Sequence, residues 1–356
     1  MPILNFSKIR PDVLNFVKEL RKDQTNGISE FFQRKENQEV NFQALWEKVM
    51  KGNALFFKSK RMHEDLAGLL TREEMLFLAR MHRFTSDYAA DLDQKRYPVP
   101  DNVKVTSVDA GGVPAEWQTH PDAVEERVLL YLHGGGWILG SPKDHRSLTT
   151  ALGQATGMRV LSVDYRLAPE YPHPAPLEDC AAAYKWLLSS GIKPQNIVIS
   201  GDSAGGSLTL ATLIKSRQDG IPLPAGAVCL APSTDIAFSD AAYFENGETD
   251  PILGDVGLFW WIQAYLAGAN PNDPLVSPLY GDLQGLPPLL LQVSTAEMLY
   301  SDSRRFVEKA KDAGVEVTLE TWDDMLHVFQ SFGLNEFPEA KEAVTRIGEF
   351  VRKLFY

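Results

Sequence analysis

Short apolar runs alternate with amphipathic stretches along most of the chain after residue 100. The runs have the length of β-strands and are almost uninterrupted, which is typical of strands buried on both faces. They are residues 127–133, 158–164, 196–202, 227–232, 289–294 and 315–322. Between them, segments 177–190, 207–218 and 303–314 have the length and apolar period of α-helices. The alternation predicts an α/β fold, with a mostly parallel central sheet flanked by helices.

The first hundred residues follow a different pattern, with apolar positions at helical spacing. Three segments show this spacing most clearly: 13–20, 42–50 and 71–81. Thr71 and Glu74 form a capping box, which predicts that a helix begins there. The two prolines in segment 96–101 then end the helical region, because proline cannot continue a helix.

These patterns predict two parts: an N-terminal helical cap region over residues 1–100 and an α/β domain over residues 101–356. The second part opens with a hairpin, since two alternating segments within 103–120 flank a pair of glycines. The interval 235–270 interrupts the alternation with the aromatic-rich stretch 257–266. We expect this interval to be a second helical excursion above the sheet that joins the cap.

The net charge narrows the kinds of partner. Lys and Arg number 35 against 47 Asp and Glu, which gives a net charge of −12. This balance argues against nucleic acid or an anionic membrane as the main partner, since both repel an acidic surface. We therefore expect a small molecule as the ligand and no stable membrane association.

Cysteine content and the N-terminal segment indicate a reducing compartment. Cys180 and Cys229 are the only cysteines, and both lie in apolar segments, which favours buried thiols over a disulfide. The first residues contain neither the apolar stretch of a signal peptide nor a run long enough to span a membrane. A cytoplasmic location is the expectation.

Candidate chemistry begins at the stretch Gly201-Asp202-Ser203-Ala204-Gly205. In a GxSxG sequence between a strand and a helix, a sharp turn holds the serine in a strained conformation and exposes its hydroxyl. Here an apolar strand precedes the motif and a helical segment follows it, which is the context that the mechanism requires. Ser203 is therefore predicted to be a nucleophile.

A serine hydroxyl needs a base to remove its proton as it attacks, and histidine is the usual base. In the α/β-hydrolase arrangement the chain order is serine, acid, histidine. The chain has seven histidines, and only His327 follows Ser203. His327 also comes shortly after a predicted strand, where sites at the edge of a sheet lie, so it is the predicted base.

The acid that orients the histidine should follow the preceding strand, and two residues qualify. Glu297 comes three residues after the strand 289–294, whereas Asp302 is placed to cap amide groups at the start of its own helix. Glu297 is the favoured acid, with Asp302 as the alternative.

Donors for an oxyanion are expected from the glycines 134–136, which follow the strand 127–133 directly. Without a Cβ, the backbone N–H groups of consecutive glycines can approach a ligand closely. Two of these amides together with the amide of Ala204 make the predicted three-donor oxyanion hole for a tetrahedral intermediate.

Five segments resemble the hormone-sensitive lipase family of α/β-hydrolases, in the order in which that family carries them. They are HGGGW (133–137), VDYRLAPEYPHPAPLED (163–179), GDSAGG (201–206), DPLVSPL (273–279) and DMLHVF (324–329). The resemblance covers about residues 103–353, and the first hundred residues correspond only to the variable cap of that family. It implies the α/β-hydrolase fold with a helical cap.

The resemblance also implies a function, which is serine carboxylester hydrolysis through an acyl-enzyme, without metal or cofactor. By position, Ser203 is the nucleophile, His327 the base, and Gly135, Gly136 and Ala204 the oxyanion donors. Many members carry Asp in a DPL triplet where this chain reads EML at 297–299, so the acid here is Glu. Members often pair through the last edge strand of the sheet, and a homodimer therefore stays open.

Substrate range depends on the cap and the acyl pocket. Trp137, Phe244, Trp260 and Trp261 are candidates to line this pocket, although aromatic residues at helical spacing are more often core. Bulky aromatics near the serine favour short acyl chains, so soluble short-chain esters are the expected substrates. Two alternatives remain: an amidase or peptidase with the same triad, and a non-catalytic receptor, a branch of this fold that is marked by loss of the histidine.

Overall fold

The computed structural model describes residues 4–62, 64–254, 257–332 and 334–355. His63, one of the seven histidines, lies outside the described residues, as do two positions of the predicted second cap part. The described strands are β1 Lys104–Asp109, β2 Pro114–Thr119, β3 Val124–Leu132, β4 Met158–Val163, β5 Ile197–Asp202, β6 Gly226–Leu230, β7 Leu289–Ser294 and β8 Val317–Trp322. The described α-helices are α1 Pro11–Gln33, α2 Phe42–Ser59, α3 Arg72–Arg96, α4 Arg146–Thr156, α5 Ala175–Ser189, α6 Ala204–Gln218, α7 Leu258–Leu266, α8 Tyr300–Asp312, α9 Phe329–Phe332 and α10 Pro338–Lys353.

The strands form a single sheet in the order β1-β2-β4-β3-β5-β6-β7-β8. β2 is antiparallel to both β1 and β4, and the remaining neighbours are parallel. The predicted hairpin and the predicted mostly parallel α/β sheet are both confirmed. Because parallel strands end at the same edge, the loops after β3, β5, β7 and β8 converge there.

Helices cover both faces of the sheet, which explains why its central strands are apolar at almost every position. In β3, Leu129 shares a buried cluster with Leu148 of α4 and Ile347 of α10. The next residue, Leu130, points to the opposite face and shares a cluster with Leu208 of α6. Neighbouring residues on a strand face opposite sides, so a strand covered on both sides needs an apolar residue at each position.

The N-terminal helices pack against the segment that precedes and includes α7. The predicted capping box at the start of α3 is confirmed, since the side chain of Thr71 accepts from the Glu74 amide and the Glu74 carboxylate accepts from the Thr71 amide. The ring of Phe56 on α2 lies 5.0 Å from that of Phe238 and 5.2 Å from that of Phe244. The division of the chain at residue 100 stays a prediction.

Cys180 and Cys229 are buried free thiols, as predicted. In the part of the chain that the structure describes, no helix combines the length and the apolar character needed to cross a bilayer.

Candidate active site

The turn between β5 and α6 holds Ser203 in a conformation that few residues other than glycine adopt. Its φ is 52° and its ψ is −119°, a backbone conformation that is costly for a residue with a Cβ. Close packing around the turn requires small neighbours. A Cβ on Gly205 would overlap the carbonyl oxygen of Leu132 at the end of β3, and a Cβ on Gly201 would overlap the carbonyl of Gly205. The turn therefore closes only because glycine occupies both positions.

His327 lies on the loop after β8, with its ring facing this serine. Its Nε2 is 3.0 Å from Ser203 Oγ, a hydrogen-bonding distance. Its Nδ1 forms a short hydrogen bond with a carboxylate oxygen of Glu297. His327 and Glu297 are almost completely buried, at 4% and 1% exposure. The structure thus brings the three predicted residues into one chain of hydrogen bonds.

Glu297 lies on the loop after β7, and its second carboxylate oxygen is also bonded. Oε1 accepts from the Ser294 amide at 2.7 Å, so the carboxylate is held at both ends. The Ser294 hydroxyl donates to the carbonyl oxygen of Met325 at 2.6 Å. Ser294, which the sequence did not single out, therefore ties the loop of the acid to the loop of the histidine.

Burial and pairing act in opposite directions on this acid and this histidine. Burial raises the pKa of Glu297, and the charge of His327 offsets part of that rise. Burial alone would lower the pKa of His327, but the charge of Glu297 and its hydrogen bond outweigh burial and raise that pKa. The imidazolium that forms when His327 accepts a proton is therefore stabilised by its partner.

Asp302, the alternative acid, lies elsewhere. Its carboxylate accepts from the amides of Thr234 and Asp235, both at 3.0 Å. The expectation that it caps amides of its own helix is therefore wrong, because the side chain points to the loop after β6 instead. Burial, followed by the charge of Asp235, raises the pKa of Asp302 to about 8. Of the two candidates, Glu297 is the one that contacts His327.

The glycines after β3 present backbone donors towards the serine turn. The amide of Gly134 donates to Asp202 at 2.9 Å and is therefore already bonded. In the described ranges, by contrast, the amides of Gly135 and Gly136 donate to no protein acceptor. The amide of Ala204 also donates to no protein acceptor, because the N–H groups in the first turn of a helix have no acceptor within the helix. These three donors remain available for an oxyanion.

Asp202, the residue before the serine, is a functional candidate that the sequence analysis missed. Its carboxylate accepts from the hydroxyl of Tyr131 at 2.7 Å and from the Gly134 amide, and it lies 3.4 Å from Nε2 of His145. Burial would raise the pKa of Asp202, but the charge and hydrogen bond of His145 and the Tyr131 hydroxyl lower it overall. The buried carboxylate thereby anchors the start of the glycine loop to the serine turn.

The loop after β4 packs against the start of the glycine loop. The hydroxyl of Tyr165 donates to the carbonyl oxygen of His133 at 2.6 Å, and its ring stacks on the His133 ring at 4.2 Å. Burial lowers the pKa of His133 to about 3, so this histidine is neutral near pH 7. Arg166 on the same loop is paired with Asp179. These contacts hold the loops together and include none of the candidate catalytic residues.

Among the aromatic residues predicted for the pocket, Trp261 lies against the oxyanion glycines. A Cβ on Gly136 would overlap the Trp261 ring. Its neighbour Trp260 is fully buried, with its ring 5.8 Å from that of His82 on α3. Trp261 thus lies beside one predicted oxyanion donor, whereas Trp260 packs within the core.

The other two predicted aromatics also make extensive core contacts. Trp137 stacks on Tyr265 at 4.3 Å, with the rings almost parallel. Phe244 lies among aromatic rings that include Phe56 and Phe238. Both side chains are buried, at 2% and 7% exposure.

Known proteins are similar to this chain over the region that contains the candidate site. A family model described by the α/β-hydrolase fold matches residues 129–331, which include every catalytic and oxyanion candidate. An acetyl-hydrolase from Streptomyces hygroscopicus is 44% identical over 245 residues, covering 69% of this chain and 81% of that protein. An esterase from Acinetobacter venetianus is 39% identical over 266 residues, covering 74% of this chain and 87% of its own.

A solved structure has the same fold as this chain. It is an esterase from the bacterial hormone-sensitive lipase family and is 40% identical to this chain. The two superpose with a TM-score of 0.72, over 87% of this chain and 99% of the other. The similarity therefore extends over nearly the whole of that protein.

Proposed function

The chain belongs to the α/β-hydrolase family and is an esterase of the hormone-sensitive lipase type, and from this premise we propose that it hydrolyses short-chain carboxylic esters with Ser203, His327 and Glu297 as its catalytic residues. The observation that carries the proposal is the bonded sequence from Ser203 Oγ through the His327 ring to Glu297, next to three unbonded amides. These are the nucleophile, base, acid and oxyanion donors that acyl transfer needs.

In the first half of the reaction, the ester carbonyl lies between Ser203 and the three amides. His327 Nε2 takes the hydroxyl proton as Oγ attacks the carbonyl carbon, and the negative charge that develops on oxygen is bound by Gly135, Gly136 and Ala204. The tetrahedral intermediate then collapses. His327 gives its proton to the departing alcohol, and the acyl group stays on Ser203.

In the second half, water replaces the alcohol. His327 removes a proton from this water as it attacks the acyl carbon, and the same amides bind the second oxyanion. Collapse releases the carboxylic acid and returns the proton to Ser203. Throughout, the Glu297 carboxylate accepts a hydrogen bond from Nδ1–H of His327. This bond keeps Nε2 facing the serine and stabilises the imidazolium.

Short acyl chains are the proposed substrate range. Trp261 lies directly against Gly136, so a bulky ring occupies space beside one oxyanion donor. The similar protein from Streptomyces hygroscopicus is an acetyl-hydrolase, which agrees with a small acyl group. Trp260 packs within the core and is not proposed as a pocket residue. Trp137 and Phe244 stay candidates for the pocket, and homodimerisation stays a prediction.

Ser203→Ala and His327→Ala test the proposal directly. We expect each to lower kcat for p-nitrophenyl acetate by at least about 10⁴-fold, because only the chemistry is lost. Glu342→Gln is the control, since Glu342 pairs with Arg346 on the exposed side of α10 and contacts neither His327 nor the loop of Glu297. Circular dichroism checks the fold, and a folded His327→Ala enzyme that keeps more than a few per cent of the rate would contradict the proposal.

Substrate class is tested with the wild-type protein. We expect p-nitrophenyl acetate and butyrate to be turned over faster than the octanoate, and a matched p-nitroanilide to be turned over slowest. Comparable rates for the anilide and the ester would instead favour an amidase.

A further inference from the structure

We propose that three residues before α7, Asn246, Thr249 and Asp250, are positioning residues that hold the Glu297 loop against His327. They form part of the bracing segment, which we define as residues 246–250, and they contact the acid loop, residues 295–298. The inference rests on the proposed catalytic role of Glu297, and it assigns a task to a segment that carries none of the motif residues.

Asn246 contributes both hydrogens of its side-chain amide. Nδ2 donates to the carbonyl oxygens of Thr295 and Glu297, each at 2.9 Å. One planar group therefore bridges two carbonyls that lie on either side of Ala296. This geometry requires a side-chain amide, because the side chains of alanine and aspartate have no N–H group to donate.

Thr249 and Asp250 continue the contact along the loop. The Thr249 hydroxyl lies 2.9 Å from the carbonyl oxygen of Ala296. The carboxylate of Asp250 accepts from the amide of Met298 at 2.9 Å. Its other oxygen accepts from the amide of Leu253 at 2.9 Å, so Asp250 is held within its own segment as well. Asp250 is almost fully buried, at 1% exposure.

Taken together, the bracing segment bonds the carbonyls of residues 295, 296 and 297 and the amide of residue 298. Loop backbone groups that a sheet does not pair must find other partners when they are buried. Here each of the four groups has a partner in the bracing segment, and the Glu297 carbonyl also accepts from the Tyr300 amide at 3.2 Å. Asn246 and Glu297 are 51 residues apart in the chain. The orientation of Glu297, and through it that of His327, therefore depends on the bracing segment.

Asp250 adds a charge as well as hydrogen bonds. Three carboxylates act electrostatically on His327: Glu297, which bonds to its ring, Asp250 on the bracing segment and Asp202 at the end of β5. The phenol of Tyr243 also faces Asp250 and Glu297. Each of the three carboxylates favours the protonated imidazole and raises the pKa of His327. Removal of the Asp250 charge should therefore lower that pKa while Glu297 and Asp202 stay in place.

The test uses the full chain and p-nitrophenyl acetate. Asn246→Ala is expected to lower kcat by on the order of 10- to 100-fold with little change in KM, because a misplaced acid affects the chemical step. Thr249→Val should lower kcat less, and Thr249→Ser, which keeps the hydroxyl, should restore it. In Asp250→Asn the acidic limb of the kcat/KM profile should move to lower pH, since the imidazole stays neutral further into acid.

Asp240→Asn is the matched control. Asp240 accepts from the Ala242 amide at 3.0 Å, at the start of the turn that contains Asn246, and makes no bond to the acid loop. An equal loss of kcat in Asp240→Asn would overturn the inference, because the effect would then not depend on contact with the loop. Folded Asn246→Ala and Thr249→Val proteins with wild-type kcat would also overturn it.

If Asn246→Ala does not fold, the Thr249→Val and Thr249→Ser pair decides, since the two variants differ mainly in the presence of the hydroxyl. An unchanged pH profile in folded Asp250→Asn would overturn the electrostatic part. Failure of the proposed function has a different signature: the wild-type protein would not turn over the ester, or Ser203→Ala would turn it over equally well.

Discussion

The serine turn, residues 201–205, and the acid loop, residues 295–298, act on the same histidine but are held by different means. The turn is closed by backbone contacts between β3, β5 and the start of α6, which leave no room for a Cβ on Gly205. The acid loop is bonded to the bracing segment, 51 residues earlier in the chain. The turn is thus held by the close packing of backbone around the sheet strands, and the acid loop is held by side chains of a segment outside the sheet.

This difference shows how the site combines a rigid and a supported part. The nucleophile lies directly after a central strand, where neighbouring backbone packs closely around its turn. The acid lies on a loop whose backbone groups bond to side chains of the bracing segment. Substitutions in the turn should therefore affect stability and activity together, whereas substitutions around the loop should affect the rate more than the fold.

The largest expected effect is that of Glu297→Gln. The Ser294 amide donates to Oε1, so the glutamine oxygen should stay there and its NH2 group should face Nδ1 of His327. The histidine would then carry its proton on Nε2 and could not accept one from Ser203. We expect kcat for p-nitrophenyl acetate to fall by on the order of 10⁴-fold, with little change in the thermal unfolding midpoint.

Asp302→Asn is the matched control for that substitution, since Asp302 bonds to the amides of Thr234 and Asp235 and not to the histidine. Its kcat should stay close to that of the wild type. A larger loss of rate in Asp302→Asn than in Glu297→Gln would reassign the acid and remove one side of the comparison.

The next effect concerns the serine turn. In Gly205→Ala the new methyl group overlaps backbone carbonyls of Leu132 and His133, which cannot move without displacing β3 and the glycine loop. We expect the free energy of unfolding to fall by about 1–3 kcal/mol, together with a loss of activity. Urea denaturation and initial rates measure the two effects.

Gly206→Ala tests the packing one residue further along the chain. Its Cβ would meet the side chain of Pro232 at 3.0 Å rather than overlap a carbonyl oxygen. We expect a smaller loss of stability there. Equal tolerance of alanine at both positions would show that close backbone packing does not hold the turn.

The smallest effect is a dependence of stability on pH near the acid loop. The pKa of Asp302 is about 8 in the folded protein, whereas an aspartate in an unfolded chain ionises near about pH 4. Unfolding between these values releases a proton, so the free energy of unfolding falls as pH rises, by about 1 kcal/mol per pH unit. Asp302→Asn removes this proton and should show a flatter slope in urea denaturation from about pH 6 to about pH 7. Equal slopes would contradict the assignment of a protonated Asp302.

Much of the fold could be predicted from local patterns. The six apolar runs and the hairpin correspond to strands of the sheet. The central strands are the clearest, because a strand covered on both faces is apolar at almost every position, whereas β8 at the edge is mostly exposed or half-buried. Helix α10 was not predicted, although it covers one face of the sheet. Its buried apolar residues recur at helical spacing, so the sequence does carry a signal for this helix.

Within the site, residues carried by a motif or singled out by chain order were predictable, namely Ser203, the glycines after β3 and His327. Glu297 could be preferred over Asp302 only by its distance from a strand end, and the hydrogen bond to His327 is what separates the two in space. Asn246, Asp250 and Ser294 left no signal in the sequence, because their contribution consists of bonds to backbone groups of another segment.

The sequence by itself determined the α/β architecture, the strained serine turn and the order of nucleophile, acid and base, since periodicity, glycine spacing and chain order are local or one-dimensional properties. Only the tertiary structure decided which carboxylate faces the histidine, which amides remain free and which segment supports the acid loop. These features depend on distances between groups far apart in the chain, and such distances exist only once the sheet and the segments around it have packed together.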